Sequence, residues 1–219
     1  MCGITGYLGT APIEQEKLQK TSSILAHRGP DDSGIYQHKH YGKNLALIHR
    51  RLSILDLDPR SAQPFRLGNQ ILCYNGEIYN YIEIKQELKS LGHQFRTKGD
   101  TEILAIALKE WGPKALGRLE GMWAIAMYDE ISGQLLLSRD RFGEKPLYFF
   151  ENETGFYFAS EPKAIFALLG KSLPVNLKQL KRYLVNGYKA LYKGQETFFE
   201  GLKEIPHGTY KIIGNGTEQ

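Results

Sequence analysis

Cysteine is almost missing from this chain: its 219 residues include only Cys2 and Cys73. The two form no CxxC pair and no zinc-like spacing. That argues against a disulfide framework or a thiolate-built structural metal, and for reduced thiols in a cytosol. A large excess of charge of one sign is lacking too. Lysine and arginine number 28 against 24 acidic residues, a formal +4, and the basic residues are scattered, so the footprint of a nucleic-acid binder is lacking. No run approaches the ~18 consecutive apolar residues of a membrane span, and the first residues lack the charged-then-apolar layout of a secretory signal. The expectation is a soluble, cytoplasmic protein, mature apart from Met1. No repeat, no GxGxxG and no GKS/GKT loop occurs, so no nucleotide site is recognisable.

What is present is ordinary globular composition, 42% hydrophobic and 24% charged, sufficient for one sizeable core or a domain with a short tail. CGITGYLG reads as a short strand broken up by Gly6 and Gly9. Ile13 to Leu25 has helical spacing, HRGPDDSG reads as a loop, NLALIHRRLSILDL begins as a strand, and QPF is a turn. NQILCYNGEIYN suggests two strands around Asn75-Gly76, a dipeptide that tight hairpins favour. Two helices follow: YIEIKQELKSLG, stopped by Gly92, and TEILAIALKEWG, with Asp100 and Thr101 as its capping residues. GMWAIAMYDE, GQLLLSRDR, PLYFFE and GFYFAS read as four closely spaced strands, and EPKAIFALL and VNLKQLKRYLVNG as short helices. From Tyr188 the rhythm is lost, and GLKEIPHGTYKII reads as a connecting strand. Strands clustered before and after a helix pair favour an α+β arrangement, two layers of sheet with helices outside.

The N-terminal MCGITGY poses the functional question. On position alone Cys2 packs as a minor hydrophobe. If Met1 is removed, however, a thiol and a free α-amine share one residue. A thiol attacks carbonyls as thiolate, and an α-amine of pKa about 7.7–8.0 can take the proton directly or through a water, with no histidine needed. His27 and His49 read as structural. An acyl-transfer site also needs donors for a developing oxyanion, which Asn75 and the Gly76 N–H could supply unless they form a plain hairpin turn. An amino-acid head would need a guanidinium such as Arg51 for its carboxylate, and anions such as Glu77 and Asp100 for its ammonium.

MCGITGYLG, HRGPDDSGIY, IHRRLSILDL, QPF, YNGEIYNY, TKGDTEILA and GMWAIAMYDE, extended by LLLSRDRFGEKPLYF and ASEPKAI, resemble the glutaminase domain of glutamine-hydrolysing asparagine synthetases. These are class II glutamine amidotransferases of the N-terminal nucleophile group, and the resemblance covers nearly the whole chain in order. It implies a four-layer αββα sandwich in which Cys2 attacks the glutamine side-chain amide, forms a glutamyl thioester and releases ammonia. Asn75 and Gly76 match the oxyanion hole, Arg51 the carboxylate clamp, backbone groups around Leu52 and Ile54 further substrate contacts, and Glu77 and Asp100 the ammonium contacts. Arg50 is an extra arginine, and Arg51 is the one in register with LSI.

Residues 1–187 would then be the glutaminase domain, and 188–219 a segment leading to an ATP-dependent synthetase domain. The SGGxDS-type loop of that domain is not in this chain, which is either an excised piece or a stand-alone glutaminase. The implied partners are glutamine and a synthetase domain, in the same or a separate chain, with a homodimer left open. No cofactor is implied for this domain, and ATP and Mg only for the synthetase. Relatives that begin Cys-Gly-Ile and make glucosamine phosphate or phosphoribosylamine fit the middle and end of the chain less well. Delivery of ammonia to a different acceptor and a catalytically idle binding module remain the alternatives. The joint presence of Cys2, Arg51, Asn75, Glu77 and Asp100 argues against the second.

Overall fold

In the computed structural model, which describes residues 1–56, 58–187 and 194–214, the apolar runs become the strands of two sheets. In chain order the elements are β1 (Gly3–Gly9), α1 (Gln15–Ile24), β2 (Asp32–His40), β3 (Lys43–Arg51), β4 (Phe65–Leu67), β5 (Gln70–Ile78), α2 (Tyr81–Ser90), α3 (Asp100–Trp111), β6 (Gly121–Asp129), β7 (Leu135–Arg139), β8 (Tyr148–Asn152), β9 (Gly155–Ala159), α4 (Pro162–Leu169), α5 (Leu177–Asn186), β10 (Lys203–Glu204) and β11 (Tyr210–Ile213). A six-stranded sheet runs β10-β8-β9-β1-β3-β2, and a five-stranded sheet runs β11-β7-β6-β5-β4; every strand pair is antiparallel.

Period-two alternation assigns each strand residue to a layer. In β5, Ile71 and Cys73 face the other sheet while Leu72, Tyr74 and Ile78 face α2 and α3; in β1, Ile4 and Leu8 face inward while Tyr7 faces α1 and α4. Three buried clusters result: one between the sheets, and one beneath each helix layer. This is the expected αββα sandwich. The two early helices, the four-strand run from β6 to β9, and α4 and α5 also fall where the spacing placed them.

Four local expectations are corrected. Gly6 and Gly9 do not break β1, which runs unbroken between β3 and β9. Asn75-Gly76 is not a hairpin turn, for β5 passes straight through it and pairs residue by residue with β6. A Cβ on Gly76 would stand 2.1 Å from the carbonyl oxygen of Met122, so close strand approach, and not turn geometry, requires glycine there. Asp100 and Thr101 do not cap α3: the cap position is Gly99, without a side-chain cap bond. Finally, the end of the HRGPDDSG loop is already β2.

The boundary expected at residue 188 falls in residues 188–193, outside the described residues. The tail described beyond it does not stand apart from the sandwich. β10 pairs with β8 in one sheet and β11 with β7 in the other.

Glycine in β1 makes one measurable claim. A Cβ on Gly6 would lie 2.6 Å from both the Phe158 ring and the carbonyl oxygen of Ala46, whereas Gly117 has no atom within 4 Å. Gly6→Ala should therefore cost about 1–3 kcal/mol by overpacking and lower Tm by several degrees in thermal unfolding, while Gly117→Ala stays within about 0.5 kcal/mol of the parent.

Candidate active site

One cavity lies where the N-terminal end of β1 meets the middle of β5, between the two sheets. It gathers Cys2, Arg51, Leu52, Ile54, Asn75, Gly76, Glu77 and Asp100, so all eight residues singled out from the sequence share one site. β1 delivers Cys2 because Gly3 pairs with Arg50 on β3, which brings the Cys2 thiol beside the residues that follow that strand. Arg28 Nε donates to the Cys2 carbonyl at 2.9 Å, and the Leu52 N–H donates to Cys2 Sγ at 3.4 Å. Burial pushes the Cys2 thiol pKa up, against the Leu52 N–H and the positive charges of the N-terminus and Arg51. A thiol so held would need a base before it could act on a carbonyl.

The opposite wall is an unpaired edge of β5. β4 pairs with only three residues, Gln70 to Leu72, so among the described residues the edge beyond has no neighbouring strand. Its N–H groups find substitutes: Tyr74 N–H donates to Gln63 Oε1 at 2.6 Å, and Ile78 N–H to Asp100 Oδ2 at 3.0 Å. By the two-residue period the Gly76 N–H points from the same edge, midway between those two, toward the cavity. Next to it, Asn75 is 1% exposed, and among the described residues its Nδ2 has no hydrogen-bond partner. Buried polar groups almost always have partners, so a donor left free on a cavity wall is available to an acceptor that enters the cavity.

The charged residues divide the remaining wall. Arg51 is buried, and among the described residues it forms no ion pair; its guanidinium is held by the carbonyl oxygens of Asp58, at 3.4 Å, and Asp56. Arg50 points the other way along the strand, its Nε donating to the Gly29 carbonyl at 2.9 Å, and it is not part of the cavity. Burial pushes the Asp100 carboxyl pKa up, with the Glu77 charge adding to it, against the Ile78 N–H and the Tyr74 hydroxyl, which donates at 2.9 Å. The two histidines set aside as structural lie off the cavity. His49 is fully buried, its pKa pushed down by burial to about 4, and its Nε2 meets the Tyr74 carbonyl at 3.1 Å. His27 pairs with Glu161 at 2.9 Å.

Sequence reasoning missed Asp56, Ser61, Gln63, Tyr74 and Lys145, which also line the cavity. Gln63 lay in plain view in QPF but was read only as part of a turn. Lys145, in the RDRFGEKPLY loop, is 6% exposed and reaches Met1 Sδ at 3.3 Å.

The layers and the position of Cys2 define an N-terminal nucleophile fold. The family model described as "Glutamine amidotransferase domain" matches residues 1–219, and the chain belongs to that family. It is 33% identical over 191 residues to "Asparagine synthetase [glutamine-hydrolyzing] 1" of Bacillus subtilis, covering 84% of this chain and 29% of the relative. It is 40% identical over 173 residues to asparagine synthetase B of Escherichia coli K12, covering 75% of this chain and 30% of the relative. The chain thus spans about a third of the length of these relatives. Among solved structures, the allosteric regulatory enzyme of purine biosynthesis aligns with a TM-score of 0.71 at 20% identity, over 98% of this chain and 47% of that one. Glutamine phosphoribosylpyrophosphate amidotransferase from B. subtilis aligns with a TM-score of 0.68 at 21% identity, over 100% of this chain and 48% of that one. At such identities these two likenesses concern the fold.

The raised Asp100 pKa carries a stability consequence of definite sign. The folded state holds that proton more tightly than the unfolded chain does. The resulting stabilisation is complete below the unfolded value and is lost as pH rises through the folded one, so ionised Asp100 is a net cost at neutrality. Asp100→Asn keeps an acceptor for Tyr74 and Ile78. It should raise Tm by a few degrees at pH 7, with the gain shrinking as pH falls toward about 4; thermal unfolding across that range checks it.

Proposed function

We propose that this chain hydrolyses the side-chain amide of glutamine to glutamate and ammonia, with Cys2 as nucleophile after removal of Met1. The observation that carries this reading is the unpaired, buried Asn75 Nδ2 on the same cavity as Cys2. Together with the Gly76 N–H it forms a donor pair suited to an oxyanion. Cys2 Sγ adds to the amide carbon, and its proton passes to the freed α-amine of Cys2, which hands it to the departing nitrogen as ammonia leaves. A glutamyl thioester remains, and water then cleaves it to glutamate and restores the thiol. Arg51, a buried cation held among the described residues by carbonyl oxygens alone, takes the α-carboxylate. Glu77 and Asp100 take the α-ammonium, and the backbone near Leu52 and Ile54 frames the substrate. The route needs no metal or organic cofactor.

The family membership and the share of each relative covered support a further reading. The ammonia goes to a synthetase domain, in the same or a separate chain, that uses ATP and Mg to activate its acceptor, with aspartate the first candidate, in a cytoplasmic enzyme. The rigid RDRFGEKPLY loop, in which Asp140 accepts N–H groups from Trp123, Phe142, Glu144 and Lys145, offers an exposed Phe142 to such a partner.

Kinetics on the purified chain test the reading. Cys2→Ala should abolish glutaminase activity with the fold intact, and a preparation that retains Met1 by intact mass should be inactive. Asn75→Ala should lower kcat about a hundredfold or more. Arg51→Ala should raise KM for glutamine steeply, by at least about a hundredfold, and Arg50→Ala far less; the reverse order would refute the assigned clamp. Given glutamine, aspartate and Mg-ATP, the chain alone should form glutamate but neither asparagine nor AMP. Asparagine would refute the division of labour, and no glutamate would favour an idle module or a domain that its partner must switch on.

A further inference from the structure

The two charged walls of the cavity come from different layers. Arg51 ends β3 in the six-stranded sheet, and Asp100 begins α3, which packs on the outer face of the five-stranded sheet. An amino-acid head is recognised by both charges only if their separation is fixed, and one side chain touches the segments that carry each. Asp56 Oδ2 accepts the Ser61 hydroxyl at 2.8 Å and the N–H groups of Lys98 and Gly99 at 3.1 Å each, while Oδ1 accepts the Asp58 N–H at 2.9 Å. Its own carbonyl oxygen receives Arg51 Nη2. Gly99 precedes Asp100, and a Cβ there would come within 3.0 Å of Asp56 Cβ, so the loop and the helix start are in close contact. Burial pushes the Asp56 carboxyl pKa up, but the donors from Asp58, Ser61, Lys98 and Gly99 more than offset this and hold it below its usual value. The anion also faces the N-terminal end of α3, where the helix dipole favours negative charge.

We propose that Asp56 is the positioning residue of the amino-acid clamp, fixing the Arg51 guanidinium relative to the Asp100 carboxylate and so selecting amides that carry both an α-carboxylate and an α-ammonium. This deepens the glutaminase reading and rests on it. Asp56 touches no reacting atom. It acts through Arg51 on one side and through Gly99 and Asp100 on the other. The amide of Asn at this position would turn a donor toward one of the four donors that the carboxylate now satisfies, which loosens the loop without emptying the space.

The experiment compares three amides on the whole chain with Met1 removed: glutamine, glutaramate, which lacks the ammonium, and 4-aminobutyramide, which lacks the carboxylate. Asp56→Asn should raise KM for glutamine about tenfold or more, with kcat within about threefold of the parent. The kcat/KM values for the two truncated amides should stay within about twofold, so that the preference for glutamine shrinks. Binding of the product glutamate, measured by calorimetry, should weaken by the same factor as KM rises. Ser61→Ala, which removes one of the four donors, should give a smaller change of the same pattern, and it decides the matter if Asp56→Asn does not fold. A parallel loss on all three amides, or an unchanged KM for glutamine, overturns the proposal while the glutaminase reading stands. A parent chain that neither hydrolyses glutamine nor binds glutamate overturns both.

Discussion

Backbone donors on the edge of β5 must be satisfied, and the site grows out of how that demand is met. A strand edge without a neighbour normally faces water or a partner strand. Here β4 ends early, and side chains from two other segments, Gln63 and Asp100, take the N–H groups of Tyr74 and Ile78. The donor between them is Gly76. A longer β4 would have paired it and closed the cavity. The same missing strand therefore opens the pocket, anchors Asp100 through the Ile78 N–H, and leaves a backbone donor where a negative charge can be received.

The electrostatics of the cavity follow from burial without full compensation. Arg51 is buried against carbonyl dipoles, and Asp100 is buried beside the like charge of Glu77. Each arrangement costs stability, because a buried charge is tolerated only when something balances it. A zwitterionic ligand would supply both missing charges together. The walls are thus polar and unbalanced before any ligand arrives, which is the condition under which fixed dipoles discriminate best.

The layers were legible because helical spacing survives in α2, α3 and α5, and because the central strands, buried on both faces, stand out as continuous apolar runs. Residues from Gly121 to Ala159 needed nothing beyond local pattern to be read as four strands. Asn75-Gly76 was misread because a dipeptide statistic reports what the backbone can do, while the carbonyl of Met122 decides what it must do. Asp100 was misread as a cap for a related reason. Its carboxylate accepts from Tyr74 and Ile78, more than twenty positions away, while the cap position of the helix is Gly99. The eight site residues came together through a resemblance carried by motifs spread along the chain. Asp56 escaped because its contacts with Lys98 and Gly99 cross 42 and 43 positions, and nothing in SILDL marks them.

The placement of β1 has a consequence for the order in which the sandwich can close. One of its two neighbours is β9, with Thr5 opposite Ala159. That ladder forms only when residues far apart in sequence meet, and such pairing waits on the closing of a long loop. The strand that follows Cys2 is therefore held on both edges only late in folding.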